Sequence, residues 1–270
     1  MATVASTGAV GACHGGVATP DESAPRIHGE GTPEAAWQAC DALWQRAPMP
    51  LPQLLGSAAR LVVVAPHPDD EVLACGGLMA LAAEAGVAVQ VIAVTDGEAC
   101  YPGEPWWTPE RLAGARRLEL HAALTALGVA EVFVRHLGMR DGAVEEHEAD
   151  LTQVLAALLR ADDLVLTPWR HDGHPDHEAV ARATLGAAAR VGARPLEYPV
   201  WAWHWLAPEQ LPAQWPRPLL LDITHAAVAK QHAIRCFATQ TGEVAHLHAS
   251  PILPAHVLAR FARHREVYLA

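Results

Sequence analysis

Cysteine is scarce in this 270-residue chain, and no two cysteines stand in a CxxC arrangement. Scattered cysteines in an odd number are typical of reduced thiols in a cytosol, and they argue against a disulfide scaffold or a cysteine metal site. Long apolar runs are absent too, since Leu61–Pro66 and Val87–Thr95 have the length of strands. The N-terminus lacks the basic start and apolar core of a secretory signal, so we expect a cytoplasmic protein without a membrane span. The cysteines are Cys13, Cys40, Cys75, Cys100 and Cys236.

Positive charge is also in short supply. Lys and Arg number 19 against 30 Asp and Glu, which gives a formal net charge of −11, and Lys230 is the single lysine. Because a protein that follows nucleic-acid phosphates needs the opposite balance, nucleic acid is excluded as a partner. Apolar residues make up 51% of the chain, enough for a full core without disulfides, and there are 16 histidines. Imidazole is both a metal ligand and a proton-transfer group, so the histidines direct attention to a catalytic site.

Three regions follow one another along the chain. Residues 1–31 are rich in Ala, Gly, Thr, Ser and Pro without an apolar period, which predicts a flexible tail. Residues 32–59 are predicted as an N-terminal helix and linker, because Thr32-Pro33-Glu34 combines an N-cap, a first-turn proline and an acid. Residues 60–270 contain no internal repeat and no second core, so we expect a single α/β domain there.

Continuous apolar runs alternate with helix-period segments from residue 60 onward. Runs of this kind are typical of strands buried on both faces. The alternation predicts a Rossmann-like, mostly parallel sheet with helices on both faces and an active site at the C-terminal edge of the strands. The predicted strands are Leu61–Ala65, Val87–Val94, Val132–Val134, Leu164–Leu166, Leu196–Val200 and Leu219–Ile223, and the predicted helices cover residues 71–85, 109–127, 145–160, 176–190, 225–237 and 253–268.

Two segments rich in acids and histidines each follow a predicted buried strand, one over residues 67–71 and one over 171–177. The carboxyl ends of parallel strands share one sheet edge, so the two segments can converge. So many acids at a strand end would repel one another unless a cation neutralised them. Two imidazoles and one carboxylate with an open fourth position are a common catalytic zinc arrangement. A phosphate-binding turn is excluded, because there is no GxGxxG and the acids would occupy the phosphate position.

Three segments resemble the signatures of the PIG-L/LmbE-like family of zinc-dependent N-acetylglucosaminyl deacetylases. They are His67-Pro68-Asp69-Asp70-Glu71, Thr95-Asp96-Gly97-Glu98 and His174-Pro175-Asp176-His177, in that order. The resemblance runs from about residue 60 to the C-terminus. It implies a hydrolase that removes an N-acetyl group from an amino-sugar conjugate, with a small molecule as its partner.

The resemblance also implies individual roles. His67, Asp70 and His177 would bind Zn²⁺, and Asp69 would be the general base that deprotonates the attacking water. His174, oriented by Asp176, would stabilise the tetrahedral oxyanion. Whether Asp69 or His174 delivers a proton to the leaving amine stays open.

Five further residues are assigned to substrate binding. Arg116 either reaches substrate hydroxyls or pairs with Glu119 or another nearby acid. A long loop is predicted over residues 97–108, where tryptophans can stack on a sugar or an apolar aglycone. Residues 201–205 alternate like a strand, and their tryptophans either face the pocket or cover the edge of the core. The five assigned residues are Asp96, Glu98, Arg116, Trp106 and Trp107.

Some alternatives remain at the level of sequence. Glu71 and Asp172 either support ligating histidines or merely begin a helix or a turn. Cys75 is expected in the core. The same fold also admits a zinc amidase that cleaves a non-acetyl or non-sugar amide, or a non-catalytic module that binds metal or sugar. The presence of Asp69 and His174 argues against the module, because binding alone requires neither residue.

Overall fold

A five-stranded parallel sheet forms the centre of the protein. The structure is a computed structural model that describes residues 27, 29–129 and 134–270. The sheet strands are β1 (Arg60–Ala65), β2 (Ala88–Thr95), β3 (Val134–Met139), β4 (Asp163–Pro168) and β5 (Arg194–Tyr198), and a separate antiparallel pair consists of β6 (Leu219–Asp222) and β7 (Arg265–Tyr268). The sheet order β3-β2-β1-β4-β5 is that of a Rossmann-like fold, so the predicted fold class is confirmed.

Helices cover both faces of this sheet. Short 3-10 turns precede or follow some of them at Val144–His147, Pro208–Gln210 and Ala259–Phe261. No helix among the described residues is long and apolar enough to cross a membrane. The helices are α1 (Glu34–Gln38), α2 (Asp41–Trp44), α3 (Leu51–Leu55), α4 (Asp70–Glu84), α5 (Pro109–Ala126), α6 (Glu148–Leu158), α7 (Pro175–Val191), α8 (Ala202–Trp205), α9 (Leu211–Gln214), α10 (Ala227–Arg235), α11 (Ala238–Thr241) and α12 (Ala255–Leu258).

The alternation of β1 side chains explains the two helical layers. Leu61 and Val63 join a core cluster that includes residues of α4, α5 and the C-terminal segments. Val62 and Val64 join a second cluster with residues of α6 and α7. Both sets are fully buried, because a strand with helices on each face must be apolar at every position. Cys75 lies in the first cluster, as predicted, and the four cysteines in the described part of the chain are unpaired.

The strand order fixes where a ligand can bind. β1 lies between β2 and β4, and the chain crosses from one half of the sheet to the other at the β1–β4 pair. The loops that leave β1 and β4 therefore face each other at the carboxyl edge of the sheet. This crossover is the usual position of a ligand crevice in an open parallel sheet.

Two secondary-structure predictions are wrong. The predicted helix over 253–268 contains only α12 and a 3-10 turn before the chain becomes β7, which pairs with β6. The predicted strand around residues 201–205 is the helix α8, whose first backbone N–H groups point at the carboxylate of Asp172. In both places tertiary contacts override a local pattern. The predicted strand Val132–Val134 lies outside the described residues apart from Val134, where β3 begins.

The N-terminal region is attached to the domain. Trp37 of α1 is buried, and its Nε1 donates to the Trp203 carbonyl at 2.9 Å. Arg260 donates to the carbonyls of Glu30 and Thr32 at 2.6 and 2.9 Å. Residues 1–26 and 28 of the predicted tail lie outside the described residues. Within the described part of that segment, Glu30 contacts Arg260.

A buried carboxylate joins β7 to the middle of α4. Glu266 accepts hydrogen bonds from Lys230 Nζ at 2.8 Å, from the backbone N–H groups of Gly77 and Leu78 at 2.7 and 2.8 Å, and from the Tyr268 hydroxyl at 2.7 Å. Both Glu266 and Lys230 are nearly inaccessible to solvent. The buried Lys230 ammonium is therefore neutralised by the Glu266 carboxylate.

Replacement of Glu266 by Ala is expected to lower the free energy of unfolding by about 3–5 kcal/mol, because the buried Lys230 ammonium loses its counter-ion. Urea unfolding followed by circular dichroism measures the change. Glu148→Ala is the matched control, since it removes a more exposed contact to Arg182 and should cost at most about 1 kcal/mol. Equal losses in the two variants would contradict the role given to Glu266.

Candidate active site

The turn between β1 and α4 carries the first group of site residues. Asp69 occupies the N-cap position of α4 with φ of 148°, a strained conformation for any residue except glycine. The Asp70 carboxylate accepts a hydrogen bond from the His67 backbone N–H at 3.1 Å and closes the turn. Glu71 accepts from the Asp69 N–H at 3.2 Å and touches no histidine that the structure describes, which favours a helix-start role for it. His67, Asp69 and Asp70 line the cavity. The backbone conformation of Asp69 and the hydrogen bond between the His67 N–H and Asp70 hold them there.

The turn between β4 and α7 carries the second group. His174 is the N-cap of α7, where its Nδ1 accepts from the Asp176 backbone N–H at 3.2 Å. His177 follows one turn later and is completely buried. Its Nδ1 lies 2.9 Å from the Asp172 carboxylate, which also accepts from the backbone N–H groups at residues 200–202. Asp172 therefore holds the orientation of His177. This arrangement favours a supporting role for Asp172 over that of a simple turn residue.

His67, Asp70 and His177 offer ligand atoms that lie within 4.8 Å of one another. Asp70 Oδ2 is 3.4 Å from His67 Nδ1 and 3.2 Å from His177 Nε2. His177 Nε2 is buried and makes no hydrogen bond of regular geometry with any residue that the structure describes. An unpartnered buried nitrogen that faces a carboxylate and a second imidazole is what a divalent cation requires, so these residues fit a metal ion.

The charges of this cluster depend on one another. The pKa of the Asp70 carboxyl is held well below its usual range: burial opposes ionisation, but the neighbouring His177 and His67 outweigh it. The pKa of His177 rises to about 9, since burial is outweighed by Asp70 and Asp172. A cation that neutralises the Asp70 carboxylate would displace protons from His67 and His177, which is the usual coupling of metal binding to proton release.

Asp69 lies beside this cluster and pairs with Arg116. Arg116 Nη2 donates to Asp69 Oδ2 at 2.9 Å and to the Pro68 carbonyl at 2.8 Å, and Nη1 donates to the Gly97 carbonyl at 2.9 Å. Gly97 has φ of 65°, and a Cβ there would collide with the guanidinium. Burial raises the pKa of Asp69 to about 7, although Arg116 opposes the rise. Of the alternatives for Arg116, the structure shows the ion pair with a nearby acid, and that acid is Asp69.

His174 is placed as a neutral hydrogen-bond donor. Burial, together with repulsion from His177 and His67, lowers its pKa to about 3. Because Nδ1 accepts from the backbone, the proton of the neutral ring lies on Nε2. Asp176 contacts His174 through its backbone N–H and not through its carboxylate. That carboxylate lies 3.2 Å from His67 Nε2 and accepts from the Gly142 N–H at 2.8 Å, so it contacts the other histidine.

Sequence reasoning missed Asp141. Its Oδ1 lies 3.0 Å from His67 Nε2, and its Oδ2 accepts from the Ala99 N–H at 2.8 Å. Hydrogen bonding to His67 holds the pKa of Asp141 below its usual range, although burial opposes the shift. An Asp-Gly pair just after β3 was the available signal. Because β3 contains polar side chains, its apolar pattern does not show that the strand reaches Met139, and the pattern therefore does not place Asp141 at the sheet edge.

A cavity of about 410 Å³ opens beside these residues, a volume in the usual range for small-molecule sites. Of the five predicted substrate-binding residues, Arg116 lines this cavity. Asp96 is paired with Arg117 instead, and Glu98 accepts from the Asp141 N–H at 2.9 Å. Neither carboxylate lines the cavity, and their role in substrate binding stays a prediction. Glu98 acts on the site indirectly, since it positions the backbone of Asp141.

The structure places the two predicted tryptophans, Trp106 and Trp107, outside the cavity lining. Trp107 Nε1 donates to the Ala245 carbonyl at 3.0 Å, and the Trp106 ring packs between His246 and the Arg111 guanidinium. Neither side chain lines the cavity. Both instead connect the loop over residues 97–108 with the segment around residue 245. In the 201–205 segment both alternatives are partly right. Trp201 lines the cavity. Trp203 packs on the ring of Trp37, and Trp205 packs on the ring of Trp169.

Comparison with known proteins agrees with this geometry. The family described as GlcNAc-PI de-N-acetylase, PIG-L, matches residues 62–188, which include both turns. The 1D-myo-inositol 2-acetamido-2-deoxy-alpha-D-glucopyranoside deacetylase of Corynebacterium diphtheriae is 32% identical over 224 residues, with 67% of this chain and 76% of the relative covered. The chain belongs to the PIG-L family.

Two other similar proteins extend the comparison. The probable N-acetyl-alpha-D-glucosaminyl L-malate deacetylase 2 of Bacillus subtilis is 28% identical over 187 residues, which cover 67% of this chain and 83% of the relative. The crystal structure of the deacetylase of the antimicrobial A40926 pseudoaglycone is 28% identical, with a TM-score of 0.58 over 78% of this chain and 96% of that one. All three proteins are deacetylases by name, and their named substrates differ, so the comparison alone leaves the conjugate open.

Proposed function

We propose that this PIG-L protein removes the N-acetyl group from an amino-sugar conjugate, with Zn²⁺ as its cofactor. The observation that carries the proposal is that Asp69 and His174 line one cavity together with His67 and Asp70 of the His-Asp-His cluster. An amide hydrolase needs a metal, a base and an oxyanion donor in one place. The chain's relatives are named as deacetylases, which supports acetyl as the group removed.

The metal would be held by His67, Asp70 and His177. Two nitrogens and one carboxylate oxygen suit zinc, and three protein ligands leave a position free for the reaction. When bound, zinc lowers the pKa of a water molecule and polarises the amide carbonyl. Asp141 and Asp172 would hold the rings of His67 and His177 in their ligating orientation through the hydrogen bonds described above.

Asp69 would take the proton from the attacking water. Its buried carboxyl is held in place by Arg116, so it cannot turn away from the cavity without breaking an ion pair. The Nε2–H of the neutral His174 would donate to the oxygen that becomes negative in the tetrahedral intermediate. A module that only bound metal or sugar would need neither the strained backbone at Asp69 nor this donor.

The organisation and location of the protein follow as further parts of the proposal. Residues 60–270 would form the deacetylase domain, preceded by the helix and linker at 32–59 and by the tail. The scattered cysteines support a cytoplasmic location, and the acidic charge balance supports a small-molecule substrate over nucleic acid.

The test is a direct assay of free-amine and acetate release. Purified protein loaded with zinc is incubated with N-acetylglucosamine, its inositol conjugate and its L-malate conjugate. We expect equal amounts of amine and acetate from at least one of them, loss of activity after chelation, and recovery on addition of zinc. A folded, zinc-loaded protein that releases acetate from none of these substrates, nor from apolar glycosides of the sugar, would contradict the proposal.

A further inference from the structure

One wall of the cavity is apolar to an extent that acetyl hydrolysis does not require. An acetyl group adds a single methyl beyond its carbonyl and can contact one or two side chains. The wall instead combines two stretches that are distant in sequence, one after β5 and one around α12. Its side chains are Val200, Trp201, Ile252, Leu253, Val257 and Phe261.

The wall is more than the inner surface of the core. Val257 and Phe261 are nearly inaccessible, but Trp201 and Ile252 are only half-buried and remain open to the cavity. Half-buried apolar side chains in a concave site are the usual contact surface for the apolar part of a ligand.

Backbone hydrogen bonds fix the two exposed members of the wall. The Trp201 N–H donates to Asp172 Oδ2 at 2.9 Å, and the same carboxylate holds His177. The Ile252 N–H donates to the Tyr101 hydroxyl at 3.3 Å. The wall is therefore held in a fixed position relative to the proposed reacting groups, as a specificity surface must be.

Arg260 also lines the cavity beside this wall, but its hydrogen bonds are directed away from the wall. Arg260 donates to the carbonyls of Glu30 and Thr32 and lies 3.1 Å from His204 Nδ1. These contacts hold the guanidinium against the N-terminal segment. A polar conjugate such as a carboxylic acid would find few partners on the remaining apolar side chains and would lose its hydration there.

We infer that the amino sugar hydrolysed by this chain carries an apolar group, alkyl or aromatic, and that Trp201 and Ile252 contact it. The inference rests on the proposed function and adds the chemical class of the conjugate. The surface that determines specificity is then this wall, and the tryptophans of the 97–108 loop lie outside it.

The experiment compares kcat/KM for zinc-loaded protein on N-acetylglucosamine, its octyl and phenyl β-glycosides below their micelle concentrations, and its L-malate conjugate. We expect at least one apolar glycoside to exceed the free sugar by about 10- to 100-fold, the range for filling an apolar pocket. Trp201→Ser and Ile252→Ser should each lower the ratio of glycoside to free sugar by about tenfold. Ile252→Leu should keep the ratio, because it preserves the apolar surface.

Val228→Ser is the matched control, since Val228 is an exposed apolar residue outside the cavity and the ratio should not change. Equal efficiency on the free sugar and both glycosides would overturn the inference and leave the deacetylase proposal standing. A preference for the malate conjugate would do the same. Faster release from an N-hexanoyl sugar than from the acetyl sugar would also overturn it, because the wall would then hold the acyl chain. Absence of amine release from every substrate would overturn both proposals.

Discussion

Replacement of Asp69 by Asn is expected to lower kcat by about 10²–10⁴ while the metal and the fold are retained. The amide cannot accept the proton of the attacking water, but it has nearly the same shape as the carboxylate. In this variant the buried Arg116 guanidinium still donates hydrogen bonds to the carbonyls of Pro68 and Gly97, so it retains polar partners. Steady-state kinetics measure the loss, and elemental analysis measures the metal content.

A matched control separates the loss of the base from the loss of an ion pair. Asp163→Asn also removes a buried carboxylate that pairs with an arginine, Arg60, at the opposite end of the sheet. It should affect stability and leave kcat within about twofold, since no reacting group lies there. If Asp69→Asn loses zinc in proportion to activity, then Asp69 is a ligand and the division of roles between Asp69 and Asp70 is wrong.

Replacement of His177 by Ala is expected to remove the bound zinc and with it the activity. Changes to residues that merely orient a ligand weaken metal affinity about 10- to 100-fold, so loss of a ligand should exceed that. The buried Asp172 keeps three backbone N–H donors in the variant and remains compensated. Zinc content after dialysis should fall from about one per chain to background, whereas circular dichroism should stay unchanged.

His121→Ala serves as the control for His177→Ala. His121 lies outside the cavity, where its Nε2 is 3.3 Å from His136 Nε2. Its loss should change neither zinc content nor kcat. A His177→Ala protein that holds zinc as tightly as the parent would show that the metal, if one binds, is held by other residues such as the His67, His174 and Asp176 group.

Local patterns in the amino-acid sequence were enough to predict the parallel sheet and to place acids and histidines at its carboxyl edge. Apolar runs without alternation, such as Leu61–Ala65, occur where both faces of a strand are covered, so they predicted buried parallel strands. Acids and histidines placed directly after two of those strands predicted a metal site, because such groups are stable together only around a cation. These features depend on residues close together in the chain, and a local pattern suffices to read them.

Which of these residues contact one another depends on the packing of the strands and helices. The order β3-β2-β1-β4-β5 makes β1 and β4 neighbours, and this order cannot be read from the sequence of β1 or of β4. The same order brings Asp141 from the end of β3 to His67, and it directs the Asp176 carboxylate to His67 instead of His174. The cavity wall combines Trp201 and Ile252, some fifty residues apart, while the loop tryptophans are held away from it. Contacts between distant segments depend on how the elements pack, and that packing is a property of the whole chain rather than of any local pattern.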